Sequence, residues 1–108
     1  MNAWRRRAIR WLGVAVVGAH LAGGLPLHDP APANVYADTA ALRFLYEPAV
    51  LAEPALAAWA ERLLFGSDFP LGSQAAALAD VRAGGLEGAA LARVLGENAR
   101  ALLTPAGA

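Results

Sequence analysis

Three short apolar runs constrain the fold of this chain more than any other sequence feature. They span residues 14–19, 34–37 and 62–65, and each is followed by a glycine or a polar side chain. Short runs of this kind are typical of buried strands, and connections of helix length between them force parallel pairing. Helical patterns at residues 74–83 and 86–103 complete the alternation. The sequence therefore predicts an α/β fold with one parallel sheet.

Prolines indicate where the connecting segments begin. Pro48 and Pro54 suit the first turn of a helix, which predicts helical turns at residues 49–53 and 54–60. The segment 26–33 contains three prolines and is predicted to be a loop.

A histidine and an aspartate follow two of the apolar runs where each predicted strand ends. His20 comes directly after the first run, and Asp68 follows Gly66 and Ser67 after the third. Parallel strands place their carboxyl ends at one edge of the sheet, so we expect both side chains there, facing a common cavity. Taken alone, each residue also has a plainer interpretation. Ser67 and Asp68 can simply form a turn, and His20 can be a hydrogen-bonded core residue.

The charge balance argues against a nucleic-acid partner. Nine arginines balance nine acidic residues, and the chain has no cysteine, which excludes disulfides and thiol chemistry. The only basic cluster in the sequence is Arg5, Arg6, Arg7 and Arg10, within a helix predicted over residues 2–10. We expect this cluster to be the solvated face of that helix.

The amino-terminal part of the chain admits a second interpretation. An apolar run over residues 11–27 follows the arginines, and Ala31-Pro32-Ala33 comes next, as in a secretory signal or a short membrane anchor. His20, a glycine pair and Pro26 interrupt this run, which weakens both assignments. We therefore expect a cytoplasmic protein with no membrane partner. Secretion or anchoring through residues 1–27 is the alternative.

Four segments, in order along the chain, share their pattern with one enzyme family. They are residues 16–24 with His20 and two glycines, 34–39, 62–70 with Asp68, and 96–103. These segments resemble strands six, seven and eight and the closing helix of the amidohydrolase-related family, which are metal-dependent TIM-barrel hydrolases and decarboxylases. The family includes the aminocarboxymuconate-semialdehyde decarboxylase type, which the chain also resembles.

The resemblance covers residues 12–103 and implies a fold. Residues 1–108 would form a single partial domain, the C-terminal part of a (β/α)8 TIM barrel with three parallel strands and their helices. A complete barrel needs roughly 250 residues. The chain would therefore be an incomplete barrel that lacks strands one to five.

The resemblance also implies a site. In the family, the aspartate of this motif contacts a divalent metal, here expected to be zinc, and the attacking water. The strand-six histidine polarises the substrate or transfers a proton. By position, Asp68 would be a catalytic residue and metal ligand, and His20 a catalytic residue acting on a small-molecule substrate. The family's strand-one His-x-His pair and strand-five histidine are missing, because His28 is the only other histidine. Catalytic zinc usually has three protein ligands, so we expect the chain alone to be inactive.

Three functions remain open at this point. The chain can be a truncated or split amidohydrolase whose N-terminal half lies on another chain or was lost. It can be a non-catalytic remnant or interaction module that keeps the half-barrel shape. It can also be a small secreted or membrane-anchored protein unrelated to the family. We adopt the first, with self-association or the missing half as the expected protein partner.

Overall fold

The fold is known from a computed structural model that describes residues 15–29 and 34–104. Its elements, in order, are β1 (Val16–Gly18), the His20 turn (Ala19–Ala22), a 3-10 turn (Leu25–Leu27), β2 (Val35–Asp38), α1 (Leu42–Leu45), two 3-10 segments (Pro48–Ala52 and Pro54–Trp59), β3 (Leu63–Leu64), α2 (Gln74–Arg82), α3 (Gly88–Ala92), a π-helical segment (Arg93–Glu97) and α4 (Asn98–Leu103). The helix predicted over residues 2–10, with its arginine cluster, lies outside the described residues.

The three predicted strands form one parallel sheet, as expected. The order is β1-β2-β3, with Val16 opposite Val35 and Ala37 opposite Leu63. The strand bounds differ slightly from the prediction. β1 spans Val16–Gly18, shorter than the predicted run 14–19. β2 is shifted by one residue to Val35–Asp38, and β3 keeps only Leu63–Leu64.

The two faces of the sheet differ in burial. Val35 and Ala37 in β2 and Leu63 in β3 are at most 3% exposed, and they pack against the helices. Side chains alternate between faces along a strand. Val17 and Tyr36, which are register partners, therefore lie on the opposite face, where Val17 is 48% exposed. One face of this parallel sheet is thus covered, whereas the other is exposed at Val17 and buried at Leu64, which is 8% exposed.

The core fills the space between the covered face and the connecting segments. Trp59 and Val81 are fully buried there, beside Leu51 and Leu56 from the two 3-10 segments. These segments begin at Pro48 and Pro54, which confirms the helical turns predicted from the two prolines.

The helical region at the carboxyl end differs from its prediction. A single helix over residues 86–103 was expected, whereas α3 begins at Gly88 and a π-helical segment separates it from α4. Gly96 lies in that segment with a non-helical backbone (φ 178°, ψ −28°). Glycine weakens a regular helix by about 1 kcal/mol relative to alanine, which favours the interruption here. The helix predicted over residues 74–83 is confirmed as α2, with Ser73 as its N-cap.

Asn98, the first residue of α4, attaches this helical region to the sheet. Its side-chain amide donates to the carbonyl oxygens of Ala60 at 2.8 Å and Leu63 at 2.9 Å, and the residue is 6% exposed. We expect Asn98→Ala to lower the free energy of unfolding by about 2 kcal/mol, because buried acceptors would lose their donor. Urea denaturation measures this loss. The exposed neighbour Glu97→Ala is the control, and equal effects of the two substitutions would contradict the assignment.

The apolar run over residues 11–27 contains a strand. Val16–Gly18 pairs with β2, and this places the middle of the run in the sheet. Among the described residues, none of the helices has the length and apolar character needed to cross a membrane.

Candidate functional site

The carboxyl ends of the three strands meet at one edge of the sheet and carry three ionisable side chains. His20 lies two residues after β1, Asp38 is the last residue of β2, and Asp68 lies four residues after β3. This edge is where open and closed parallel α/β folds place their ligands.

His20 and Asp68 face each other across this edge. The Nε2 atom of His20 lies 3.6 Å from Oδ2 of Asp68, and the two side chains are 41% and 35% exposed. The gap is longer than a direct hydrogen bond, so the groups are adjacent and open to solvent without being bonded. The expectation that these two residues share one edge of the sheet is confirmed. Their roles in catalysis and metal binding stay predictions.

His20 is carried by an unusual left-handed turn. His20 (φ 58°, ψ 50°), Leu21 (φ 56°, ψ 36°) and Ala22 (φ 51°) all have positive φ. Such a conformation costs about 1–2 kcal/mol per non-glycine residue, so the surroundings must impose it. The turn also comes close to β1. A Cβ atom added at Gly18 would lie 2.8 Å from the Cα of Ala22, so only glycine fits there without a shift.

Asp38 also lies at this edge, although it was not among the site residues predicted from the sequence. Its Oδ1 accepts hydrogen bonds from the backbone N–H groups of His20 and Ala40, each at 3.0 Å. The hydroxyl group of Tyr46 adds a donor to the carbonyl oxygen of His20, at 3.3 Å. Because Asp38 directly follows the predicted strand 34–37, the sequence could have predicted that it lies at this edge. Nothing in the sequence indicates which backbone groups it binds.

The loop after β3 brings Asp68 to the edge. Asp68 has a left-handed backbone (φ 57°), which aspartate tolerates better than most residues. Its carbonyl oxygen accepts from the N–H of Leu71 at 2.9 Å, and Ser67 Oγ accepts from the N–H of Phe69 at 3.3 Å. A Cβ atom at Gly66 would lie 3.3 Å from the Cβ of Ala40, so glycine here permits close packing of the two loops.

A cavity of about 200 Å³ lies beside this edge of the sheet. Its lining includes Thr39, Ser67, Phe44 and Leu71, and neither His20 nor Asp68 belongs to it. Thr39 is buried, and its Oγ1 accepts from the N–H of Gly66 at 3.2 Å, which connects β2 to the loop after β3. A cavity common to His20 and Asp68 therefore stays a prediction.

Arg43 and Asp80 form a bidentate ion pair in the wall of that cavity. Arg43 Nε and Nη2 donate to the Asp80 carboxylate at 2.8 and 2.9 Å, and the side chains are 49% and 19% exposed. The hydrogen bonds from Arg43 hold the pKa of the Asp80 carboxyl below its usual value.

The depressed pKa of Asp80 predicts a pH dependence of stability. A carboxyl group with a lower pKa in the folded state stabilises the protein above its unfolded pKa of about 3.9, and this contribution is lost as pH falls through the folded value. Asp80→Asn should therefore slightly reduce the free energy of unfolding at neutral pH, and the difference from wild type should disappear in strong acid. Urea denaturation at both pH values checks this. A difference that persists in acid would show that the ion pair is not its origin.

The described residues do not complete a catalytic metal site. Within residues 15–29 and 34–104, no group of three or more His, Cys, Asp or Glu side chains is arranged to hold a metal ion. His20 and Asp68 offer two donors, whereas catalytic zinc takes three protein ligands. Asp68 as a metal ligand thus stays a prediction that requires donors from other polypeptide.

Comparison with known proteins identifies one family. The chain matches the family described as Amidohydrolase over residues 5–104, which includes all three strands and the residues of the site. No curated protein and no solved structure matches it significantly. The decarboxylase-type subfamily suggested by the sequence stays a prediction. Because the match extends over nearly the whole sequence, the chain belongs to the amidohydrolase family.

Proposed function

We propose that this chain is the part of a metal-dependent amidohydrolase-type hydrolase or decarboxylase that holds barrel strands six to eight and the closing helix. β1, β2 and β3 would be those three strands. Additional polypeptide, in the same longer protein or on a separate chain, would bring strands one to five. The chain alone is expected to be inactive.

The observation that carries this proposal is the approach of His20 and Asp68 at the carboxyl edge of the sheet. The 3.6 Å separation of Nε2 and Oδ2 supports the proposal that an imidazole and a carboxylate act together on one small-molecule substrate. A neutral imidazole can transfer a proton near neutral pH, and a carboxylate can accept one. Asp68 would accept a proton from the attacking water. His20 would either polarise the substrate or take that proton from Asp68 and donate it to the leaving group.

A divalent metal would take part in the complete enzyme, because the amidohydrolase family generally uses divalent metals. When bound, such an ion lowers the pKa of water and polarises the substrate. Asp68 would supply one carboxylate ligand. The His-x-His pair and the strand-five histidine of the family would have to come from the additional polypeptide, since the described residues cannot supply three ligands.

The exposure of Val17 on the second face of the sheet supports the need for more polypeptide. Parallel sheets are normally covered on both faces, yet Val17 on this face is 48% exposed. Its neighbour in register, Tyr36, is only partly buried. Further strands that close a barrel would cover both side chains. Self-association would cover the same face without providing the missing histidines.

Reconstitution tests the proposed function. The full chain would be co-expressed with the N-terminal half of an amidohydrolase of known substrate, with zinc present, and turnover of that substrate would be measured. We expect turnover only when both parts are present. A stable complex with no turnover would favour a non-catalytic interaction module, and turnover by the chain alone would contradict the proposal.

A further inference from the structure

Asp38 makes the contacts that join the His20 turn to the sheet. Its Oδ1 accepts two backbone N–H groups, one from His20 and one from Ala40, both at 3.0 Å. Both distances are in the usual range for N–H···O hydrogen bonds. One oxygen atom therefore ties the carboxyl end of β1 to the carboxyl end of β2.

The His20 turn needs such a contact because its backbone is strained. Three consecutive residues, His20 to Ala22, have positive φ, and none of them is glycine. Residues in such conformations persist only where the surrounding structure holds them. Tyr46 contributes a second contact, since its hydroxyl group donates to the carbonyl oxygen of His20 at 3.3 Å. Both peptide groups that flank the Cα of His20 are thus hydrogen-bonded to side chains from other elements.

We infer that Asp38 is the positioning residue of His20, holding the left-handed turn that directs the imidazole toward Asp68. The inference rests on the proposed function, in which His20 and Asp68 act on the same substrate. The proposed chemistry assigns no proton transfer to Asp38, whose Oδ1 is engaged by two backbone groups. Without this acceptor, the turn would relax toward right-handed backbone and the imidazole would leave the 3.6 Å position opposite Asp68.

Nuclear magnetic resonance on the full chain tests this without any requirement for turnover. Asp68→Asn should shift the imidazole signals of His20, and the size of that shift measures the proximity of the two side chains. In an Asp38→Leu background, which keeps the branched arrangement of side-chain heavy atoms but has no acceptor, we expect the effect of Asp68→Asn to fall at least about fivefold. The amide protons of His20 and Ala40 should move upfield together, while the methyl signals of Leu63 and Val81 stay in place.

Asp38→Asn is the conservative variant that separates positioning from a general structural role. The side-chain oxygen of the introduced asparagine can still accept both N–H groups, so at least about half of the effect of Asp68→Asn should remain. If Asp68→Asn shifts the His20 imidazole signals as much in folded Asp38→Leu as in the wild type, the inference is overturned. Should Asp38→Leu fail to fold, Asp38→Ala, which also lacks the acceptor, takes its place, and an unchanged effect of Asp68→Asn in folded Asp38→Ala would overturn the inference as well. The two experiments are independent. A negative NMR result would remove the role of Asp38 without affecting the proposed function, and a failed reconstitution would remove the proposed function without affecting the contacts of Asp38.

Discussion

Asp68→Asn is expected to lower kcat of the reconstituted enzyme by about 10²–10⁴-fold, the range over which positioned acid–base groups contribute. Asparagine keeps the shape of the side chain but can neither accept a proton as a base nor bring a negative charge to a metal. The aspartate lies in a solvent-accessible loop and is 35% exposed, so the substitution should leave the fold intact.

Asp80→Asn is the matched control for this experiment. It makes the same carboxylate-to-amide change in the ion pair with Arg43, and Asp80 is not part of the His20–Asp68 pair. We expect kcat to stay near the wild-type value in the control. Equal losses in the two variants would indicate a nonspecific effect of the substitution, and unchanged kcat in Asp68→Asn would contradict the assigned role.

Trp59→Ala is expected to lower the free energy of unfolding by about 3–5 kcal/mol. The indole is fully buried, and its Nε1–H donates to the carbonyl oxygen of Asp29 at 3.1 Å. The guanidinium of Arg62 lies 4.3 Å from the centre of the ring and adds a cation–π contact. The substitution would remove apolar packing, a hydrogen bond and this contact together. Small domains are stable by about 5–15 kcal/mol, so the loss is a large part of the total.

Urea denaturation of Trp59→Ala and Trp59→Phe measures the contribution of Trp59. Phenylalanine keeps much of the ring and should lose less stability than alanine. The exposed Phe69→Ala serves as the surface control, since Phe69 is 71% exposed. A loss below about 1 kcal/mol for Trp59→Ala would be too small for a fully buried aromatic residue and would contradict its place in the core.

Much of the sheet could be predicted because local sequence determines it. Short β-branched and leucine-rich runs favour strands, and long connections leave parallel pairing as the only simple solution. Once the strands are parallel, His20 and Asp68 must fall at the same edge, because each closely follows its strand. Pro48 and Pro54 likewise predict where helical segments begin, since proline suits the first turn.

The left-handed turn and the role of Asp38 could not be predicted, because both depend on contacts distant in sequence. Nothing in His20-Leu21-Ala22 favours positive φ. The conformation is held by Asp38, 18 residues away, and by Tyr46, 26 residues away. The π-helical segment was missed for a different reason. The apolar stripe of residues 86–103 continues through Gly96, and hydrophobic periodicity does not detect a local change in backbone geometry.

Zinc titration of the purified chain by calorimetry tests most directly whether His20 and Asp68 belong to a metal-dependent site whose remaining ligands come from other polypeptide. We predict weak zinc binding or none for the chain alone, and tight binding in the mixture with an N-terminal half that carries the missing histidines. Tight one-to-one binding by the chain alone, abolished by Asp68→Asn, would contradict this assignment.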